Sequence, residues 1–189
     1  MQLQKIFVVL GPPGSGKGTQ SSLLAKALRY EQIVLGDLIR EFIKGTSKDA
    51  IESKELYDKG IPQPDEIATT LLKIKLQNVH GYEGAVFDTF PLSMGQAQAL
   101  DEIVRDLKVS DMKVIFLNVN KEEVVKRISI RGQSRSDDTP EIAGRRFEEY
   151  EKRNAPIKEY YRNKAILIDV NGNQPVEAVH EEILSKLGM

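Results

Sequence analysis

The sequence predicts a three-layer α/β/α fold built on a parallel sheet, and two features of the pattern predict it. Short apolar runs alternate with helical patterns along the 189 residues, which is typical of strands buried between two layers of helices. The first of these runs, KIFVVL, leads directly into the glycine-rich stretch GPPGSGKGTQ. We therefore expect one α/β domain over residues 1–189, with its ligands at the carboxyl edge of the sheet.

The predicted strands share a short run of apolar residues between polar or glycine-containing segments. They lie at 5–10, 84–88, 113–119 and 165–169, with a weaker candidate at 32–35. N-cap residues indicate where helices begin between them. Ser93 and Asn120 each have a Gln or Glu three residues later, which predicts capping boxes, and Thr139 precedes Pro140.

Composition excludes several classes of function. With 27 basic and 28 acidic residues the net charge is -1, so no global field attracts nucleic acid or an anionic membrane. Cysteine is absent and the two histidines cannot form a zinc site alone. The N-terminal apolar stretch is shorter than a signal-peptide core. We expect a soluble, cytoplasmic, monomeric protein that binds small molecules and neither nucleic acid nor membrane.

Two segments fit the alternation poorly. Residues 36–79 contain three successive helical patterns with no strand between them, and 132–138, GQSRSDD, is polar throughout. Both are candidates for movable flaps beside a ligand site, although ordinary surface excursions would have the same pattern.

The glycine-rich stretch predicts a phosphate-binding loop. Gly11, Gly16 and Lys17 match the P-loop pattern, but Gly18 stands before Thr19 where the strict pattern has Ser or Thr. A buried strand before the loop and a helix after it would direct backbone N–H groups at the phosphates, with the lysine as a mobile charge.

Three arginines occupy positions where the helical pattern asks for core residues. Arg127 and Arg131 fall on the apolar face of the pattern at 121–131, and Arg146 falls on the apolar face of the next helix. An inward arginine with no acidic partner on its own face suits an anionic ligand, although each could pair with a carboxylate elsewhere in the fold. Together, beside a phosphate loop, they favour phosphoryl transfer.

Two polar residues follow the predicted strand at 84–88. Asp88 closes the strand, where a carboxylate can orient the water shell of Mg²⁺, or can simply cap a turn. Gln96 could recognise the edge of a base, but its spacing from Ser93 is also that of a capping box. The pattern alone favours the cap.

Together these segments resemble the adenylate kinase and nucleoside monophosphate kinase family over essentially the whole chain. GPPGSGKGTQ is similar to its phosphate loop, including the Gly between Lys and Thr, and FDTFPLSMGQA is similar to its phosphate-and-base segment. GDLIR and PDE resemble the two ends of its acceptor flap, RSDD and RRFEEY its lid region, and VNGNQPV its donor-adenine loop. The resemblance implies a five-stranded parallel core, an acceptor flap near 35–64, and a short, zinc-free lid near 131–138. It also implies reversible transfer of a phosphoryl group from Mg·ATP to a nucleoside monophosphate.

The resemblance also implies the residues of the site. Those implied to bind ATP are Gly14, Ser15, Gly16, Lys17, Gly18, Thr19, Arg131 and Gln174. Those implied to act on the transferred phosphate are Lys17, Asp88, Arg127, Arg131, Arg135 and Arg146. Those implied to contact the acceptor are Leu35, Arg40, Ile61, Pro62, Gln63, Thr89, Phe90, Pro91, Leu92, Gln96, Arg135 and Arg146. Mg²⁺ is expected near Thr19 and Asp88, held mainly through water and ATP phosphates. Gln96 falls where the family recognises adenine, which replaces the cap-only interpretation.

Two residues depart from the family pattern, both on the acceptor side. Leu35 replaces a usual Thr or Ser, which removes a hydroxyl near the acceptor base. Leu92 replaces a usual Arg, which removes a guanidinium from the acceptor phosphate. The leading hypothesis is an adenylate kinase-type enzyme weakened towards AMP. The alternatives are a kinase for another monophosphate, such as UMP or CMP, and an ATP-binding regulatory protein whose activity has decayed.

Overall fold

A computed structural model describes residues 3–59, 61–131 and 140–189. Five strands form one parallel sheet in the order β2-β3-β1-β4-β5, so the predicted five-stranded parallel core is confirmed. The strands are β1 (Lys5–Leu10), β2 (Glu31–Val34), β3 (Gly84–Asp88), β4 (Asp111–Asn118) and β5 (Leu167–Asn171).

Helices connect the strands and cover both faces of this sheet. In the described residues they are α1 (Lys17–Leu28), α2 (Leu35–Phe42), α3 (Lys48–Asp58), α4 (Asp65–Gln77), α5 (Met94–Asp106), α6 (Lys121–Arg131), α7 (Pro140–Asn163) and α8 (Val176–Lys186). Three successive helices separate β2 from β3, as predicted for residues 36–79. No helix in the part of the chain that the structure describes has the length and apolarity needed to cross a membrane.

The bounds of three strands differ from the prediction. β4 begins two residues earlier and ends one residue earlier than the predicted 113–119. The run at 165–169 predicts the last strand two residues too early, because α7 continues to Asn163 and Ala165 forms a left-handed turn (φ 55°) after it. The weak candidate at 32–35 loses Leu35 to α2, where this side chain is buried. Leu35 thus contributes to the core from α2, and Ile166 packs against the core from the turn before β5, neither of them from the strand predicted to contain it.

Alternation along β1 divides the core into two layers. Ile6, Val8 and Leu10 point to one face, where they pack with residues of α4, α5 and α7. Phe7 and Val9 point to the other face and pack with α1 and α8. Because both faces are covered, β1 is fully buried and lies at the centre of the sheet.

The predicted capping boxes form only in part. Ser93 Oγ accepts a hydrogen bond from the Gln96 N–H at 3.0 Å, and Asn120 Oδ1 accepts one from the Glu123 N–H at 2.8 Å. The return bonds are missing because the side chains of Gln96 and Glu123 bind elsewhere. Each of these side chains belongs to the candidate site instead.

Candidate functional site

The phosphate loop joins β1 to α1 at the carboxyl end of the central strand. Gly14 (φ 78°) and Gly16 (φ 89°) adopt left-handed conformations that glycine accommodates without strain. Gly16 is the N-cap of α1 and has no side chain to satisfy the first turn, and the first helical bond is from Gln20 N–H to the Gly16 carbonyl. The N–H groups of Gly18 and Thr19 precede that bond, so this helix end has donors available for an anion.

Asp88 lies beside this helix start. It pairs in register with Val9 of β1 and Val34 of β2, and its Oδ2 would stand only 3.2 Å from a Cβ built on Gly18. Burial raises the pKa of the Asp88 carboxyl, while a hydrogen bond from Thr89 and the positive charge of Lys17 act to lower it. The Asp88 carboxylate therefore lies beside the first turn of α1, and Lys17 belongs to the same turn.

Thr89 has an unusual backbone for its type. Its φ is 66°, a left-handed value that a β-branched residue rarely adopts and that glycine accepts readily. The resemblance to the adenylate kinase family implies Gly at this position, so Thr89 is a departure from that pattern. The Thr89 hydroxyl donates to Asp88 Oδ1 at 3.0 Å, so the substituted side chain has a specific contact with the buried carboxylate.

Arg127 ties α6 to the phosphate loop. Its Nη2 donates to the Gly172 carbonyl at 2.9 Å, and its Nη1 points to the Ser15 carbonyl at 3.4 Å. The prediction of no acidic partner on its own face is wrong for this arginine, because its Nε donates to Glu123 Oε1 at 2.8 Å. Glu123 orients the guanidinium along the loop, which leaves its charge beside the position where phosphate is expected.

A cleft of about 750 Å³, here called the donor cleft, opens on one side of the phosphate loop. Its walls come from the loop itself, from α6, and from the segment after β5. Gln174 lines it and donates to the Asn171 carbonyl at 3.0 Å and to Glu182 Oε2 at 2.6 Å. Predicted residues Gly14, Ser15, Gly16, Thr19, Arg127 and Gln174 all line this cleft.

Mg²⁺ is implied by the resemblance, and the described residues can border this ion without enclosing it. No group of three or more His, Cys, Asp or Glu side chains able to hold a metal occurs among the described residues. Asp88 and the hydroxyl of Thr19 are hard oxygen donors, and Mg²⁺ usually keeps several waters and phosphate oxygens around one or two protein ligands. These two side chains would border such an ion.

A second cavity of about 250 Å³, here called the acceptor pocket, lies beyond the ends of β2 and β3. It brings together the predicted acceptor residues Leu35, Ile61, Pro62, Gln63, Leu92 and Gln96. The pocket is lined mostly by apolar side chains. This lining suits a flat base better than a hydrated ion.

Gln96 is buried at the floor of the acceptor pocket and is held by its neighbours. Its Oε1 accepts from the Leu92 N–H at 2.8 Å, and its Nε2 donates to Asp65 Oδ1 at 2.7 Å. Ser93 Oγ donates to the other Asp65 oxygen at 2.6 Å. Because a backbone N–H can only donate, the Leu92 contact fixes which side of the Gln96 amide is the oxygen.

Other predicted acceptor residues lie around the pocket without lining it. Phe90 is buried in the core, and Thr89 and Pro91 lead the chain from β3 to the pocket. Arg40 is half-exposed and paired with Asp37. A hydrogen bond with Tyr57, which does line the pocket, raises the pKa of the Arg40 guanidinium and places it at the rim.

The lid-side predictions fall largely outside the described residues. Arg131 ends α6, but its side chain, like that of Arg146, lies outside what the structure describes, as does all of Arg135. The predicted lid at 131–138 is therefore described only at its first residue.

Comparison with known proteins identifies the family. A model of the adenylate kinase family matches residues 9–166. The chain is 38% identical over 184 residues to an adenylate kinase of Synechococcus sp. (strain JA-2-3B'a(2-13)), with 96% of this chain and 95% of the relative covered. The chain belongs to the adenylate kinase family. An adenylate kinase of Chlamydia pneumoniae is 34% identical, with 95% of each chain covered. One from Archaeoglobus fulgidus is 34% identical, with 94% of this chain and 95% of the relative covered.

Adenylate kinase family membership makes the chain an ATP-dependent nucleoside monophosphate kinase. Sequence reasoning missed three polar residues that line its acceptor pocket: Tyr57, Asp65 and Arg153. Asp65 belongs to the PDE motif, which the sequence analysis recognised. The residues that its side chain binds lie 28 and 31 positions away along the chain, so the motif did not indicate them. Arg153 lies seven residues after Arg146, a spacing that returns to the same side of a helix and could have indicated it.

Lys17 gives the first test of the phosphate loop. We expect Lys17→Ala to fold normally but to lose nearly all phosphoryl transfer, because it removes a charge from the transferred group. Turnover and thermal melting of the purified variant measure the two effects. Lys26→Ala, which truncates an exposed lysine in the last turn of the same helix, is the matched control and should keep wild-type turnover. An active Lys17→Ala enzyme would contradict the assigned role.

Asp88 gives a test of the buried charge. Its folded-state pKa lies above the ordinary value of 3.8, so the folded chain holds the proton more tightly and the free energy of unfolding falls as the pH rises through that window. At pH 7 the ionised carboxylate therefore costs stability. We expect Asp88→Asn to raise the urea midpoint of unfolding at pH 7. The difference in midpoint between the variant and wild type should become smaller near pH 4. Phosphoryl transfer by the variant should fall.

Asp106→Asn, at a half-exposed carboxylate, is the control for the Asp88 experiment. It should change the free energy of unfolding by less than about 0.5 kcal/mol at either pH. A lower urea midpoint for Asp88→Asn than for wild type at pH 7 would show that the carboxylate stabilises the fold instead.

Proposed function

We propose that the enzyme transfers the terminal phosphate of ATP to AMP and gives two molecules of ADP. The observation that carries this proposal is the position of the two cavities. The donor cleft is walled by segments that follow β4 and β5, and the acceptor pocket by segments that follow β2 and β3. The phosphate loop follows the central strand β1 between them, so two nucleotides would meet at the loop.

On the donor side, the chain holds a phosphate chain and stabilises its charge. Backbone N–H groups at the start of α1 bind phosphate oxygens, and Lys17 accompanies the transferred group. Arg127, oriented by Glu123, adds a positive charge next to the loop. Mg²⁺, when bound with ATP, would neutralise phosphate charge, and Asp88 and Thr19 would border it. Catalysis in such a site is mainly positioning and electrostatic stabilisation.

On the acceptor side, Gln96 supports adenine as the base. An amide has two lone pairs on its oxygen and two N–H donors, and one of each is already used by Leu92 and Asp65. One lone pair of the amide oxygen and one N–H remain. Adenine presents a matching pair in AMP, an exocyclic amino group next to a ring nitrogen. Cytosine presents the same pair, so the choice of AMP over CMP is supported by the family and not by this amide alone. No observation favours another monophosphate or a decayed, purely regulatory protein.

We also propose that residues 35–64 act as an acceptor flap and residues 131–138 as a lid. The flap proposal is supported by α2 and α3, which lie between strands without contributing one and carry the pocket residues Leu35, Ile39 and Tyr57. The lid proposal rests on the family resemblance. We further propose a cytoplasmic monomer whose partners are small nucleotides and not nucleic acid, in keeping with the net charge of -1.

The identity of the acceptor is tested by restoring the family residues. If AMP is the acceptor, Leu92→Arg should raise kcat/KM for AMP by about ten- to a hundredfold, because a charge-assisted hydrogen bond to phosphate is worth about 1.5–3 kcal/mol. Adding Leu35→Thr should raise it further or sharpen the preference for adenine. A coupled assay of ADP formation from ATP with AMP, UMP, CMP and GMP measures both effects. Faster use of another monophosphate by wild type, with activity lowered by Leu92→Arg, would refute AMP.

Flap closure is tested by amide hydrogen exchange. We expect a bisubstrate dinucleotide that joins ATP to AMP to slow exchange in residues 35–64 and 131–138, because it fills both cavities and draws the two segments over them. The end of α5 and the turn before β4, residues 105–110, form an internal reference in which exchange should not change. Unchanged exchange in the flap at saturating ligand would contradict the proposal.

A further inference from the structure

The acceptor pocket needs a cation that residue 92 no longer supplies. A nucleoside monophosphate brings a phosphate with about two negative charges at neutral pH. Among the described residues that line the pocket, two are charged: Asp65, whose two oxygens are bonded to Gln96 and Ser93, and Arg153. The one positive charge in the described lining therefore comes from α7 and not from the segment after β3.

Two buried neighbours show on which side of α7 Arg153 lies. It follows the buried Tyr150 by three residues and precedes the buried Ile157 by four, a spacing that keeps all three on one side of the helix. Tyr150 and Ile157 belong to the core layer that also holds Leu35, whose side chain lines the pocket. The exposed guanidinium of Arg153 thus lies at the mouth of the pocket while its helix is anchored to the core.

The guanidinium of Arg153 has no ion pair or hydrogen bond with any residue that the structure describes. Two other cations of α7 are paired: Lys158 with Asp169 at 2.9 Å, and Arg162 with Glu159 at 2.8 Å. Arg40, at the rim of the same pocket, is paired with Asp37. Within the part of the chain that the structure describes, the donors of Arg153 are therefore unused, and its planar donors suit two phosphate oxygens at once.

We propose that Arg153 binds the phosphate of the acceptor nucleotide and compensates for the guanidinium that Leu92 removes. The inference rests on the proposed function, because it assumes a monophosphate acceptor in this pocket. It accounts for leucine at position 92 in a member of the family, because the cation reaches the same pocket from α7. The pocket then keeps a contact for phosphate while the segment after β3 contributes only apolar surface.

The test compares Arg153→Leu with wild type, using ATP and AMP. We expect the KM for AMP to rise by about ten- to a hundredfold, the loss of one charge-assisted contact, with the KM for ATP unchanged within about twofold. Inhibition by adenosine, which has the base but no phosphate, should be unchanged. Arg153→Lys should fall between the two, since it keeps the charge and loses the planar geometry.

Two further variants make the result specific. Arg105→Leu removes an exposed arginine from α5 that lines neither cavity, and it should leave both KM values unchanged. Leu92→Arg added to Arg153→Leu should restore the KM for AMP to within about threefold of wild type, because it returns a guanidinium to the pocket from the other wall. A merely structural role for Arg153 would not be rescued in this way.

The outcomes separate the two proposals. An Arg153→Leu enzyme with wild-type KM for AMP overturns the role of Arg153 and leaves the proposed function intact. Equal loss of affinity for AMP, adenosine and ATP also overturns it, since the defect would then be structural. If the wild-type chain forms no ADP from ATP and AMP, the proposed function fails, and the inference about Arg153 fails with it.

Discussion

The site depends on one constraint: a fully buried central strand ends in a loop whose backbone must turn into a helix with no side chain to cap it. β1 has a parallel neighbour on each side, so its carboxyl end is the middle of the sheet edge. Left-handed glycines at positions 14 and 16 allow the turn, and the uncapped start of α1 supplies the donors. The two cavities follow from the topology, because strands on either side of β1 end at the same edge and their following segments wall opposite sides of the loop.

Burial of charge next to that helix start is the second determinant. Asp88 is nine-tenths buried at the end of β3, and desolvation raises the pKa of its carboxyl against the effect of Lys17 and Thr89. A buried carboxylate this close to a phosphate loop is unfavourable for folding, so its position is better explained by function than by stability. Thr89, the next residue, has a left-handed backbone, and its hydroxyl donates a hydrogen bond to the same carboxylate.

Much of this arrangement was predictable from the sequence, and the parts that were not have physical reasons. Five apolar runs gave the five strands, and the spacing of glycines and lysine gave the phosphate loop. The start of β5 was predicted two residues too early because Ala165 has an apolar side chain but a left-handed backbone, which no hydrophobic pattern reveals. The sequence did not reveal that the side chains of Gln96 and Ser93 both bind Asp65, because a capping box and a base-recognition site have the same local spacing. Only the approach of α4 distinguishes them.

Residue 92 shows why a site is better compared by its pocket than by its motif. Compared position by position, leucine in place of arginine predicts a weakened acceptor site. The motif after β3 contains no other positive charge that could replace the arginine. The pocket, however, is walled by three separate parts of the chain, and a phosphate can be bound from any of them. α7 contributes Arg153 to the described lining of the pocket, so a single arginine there replaces a charge without changing the loop that precedes α5. A long side chain on a rigid helix can reach the same phosphate as a short loop, and the electrostatic requirement is then met by different residues.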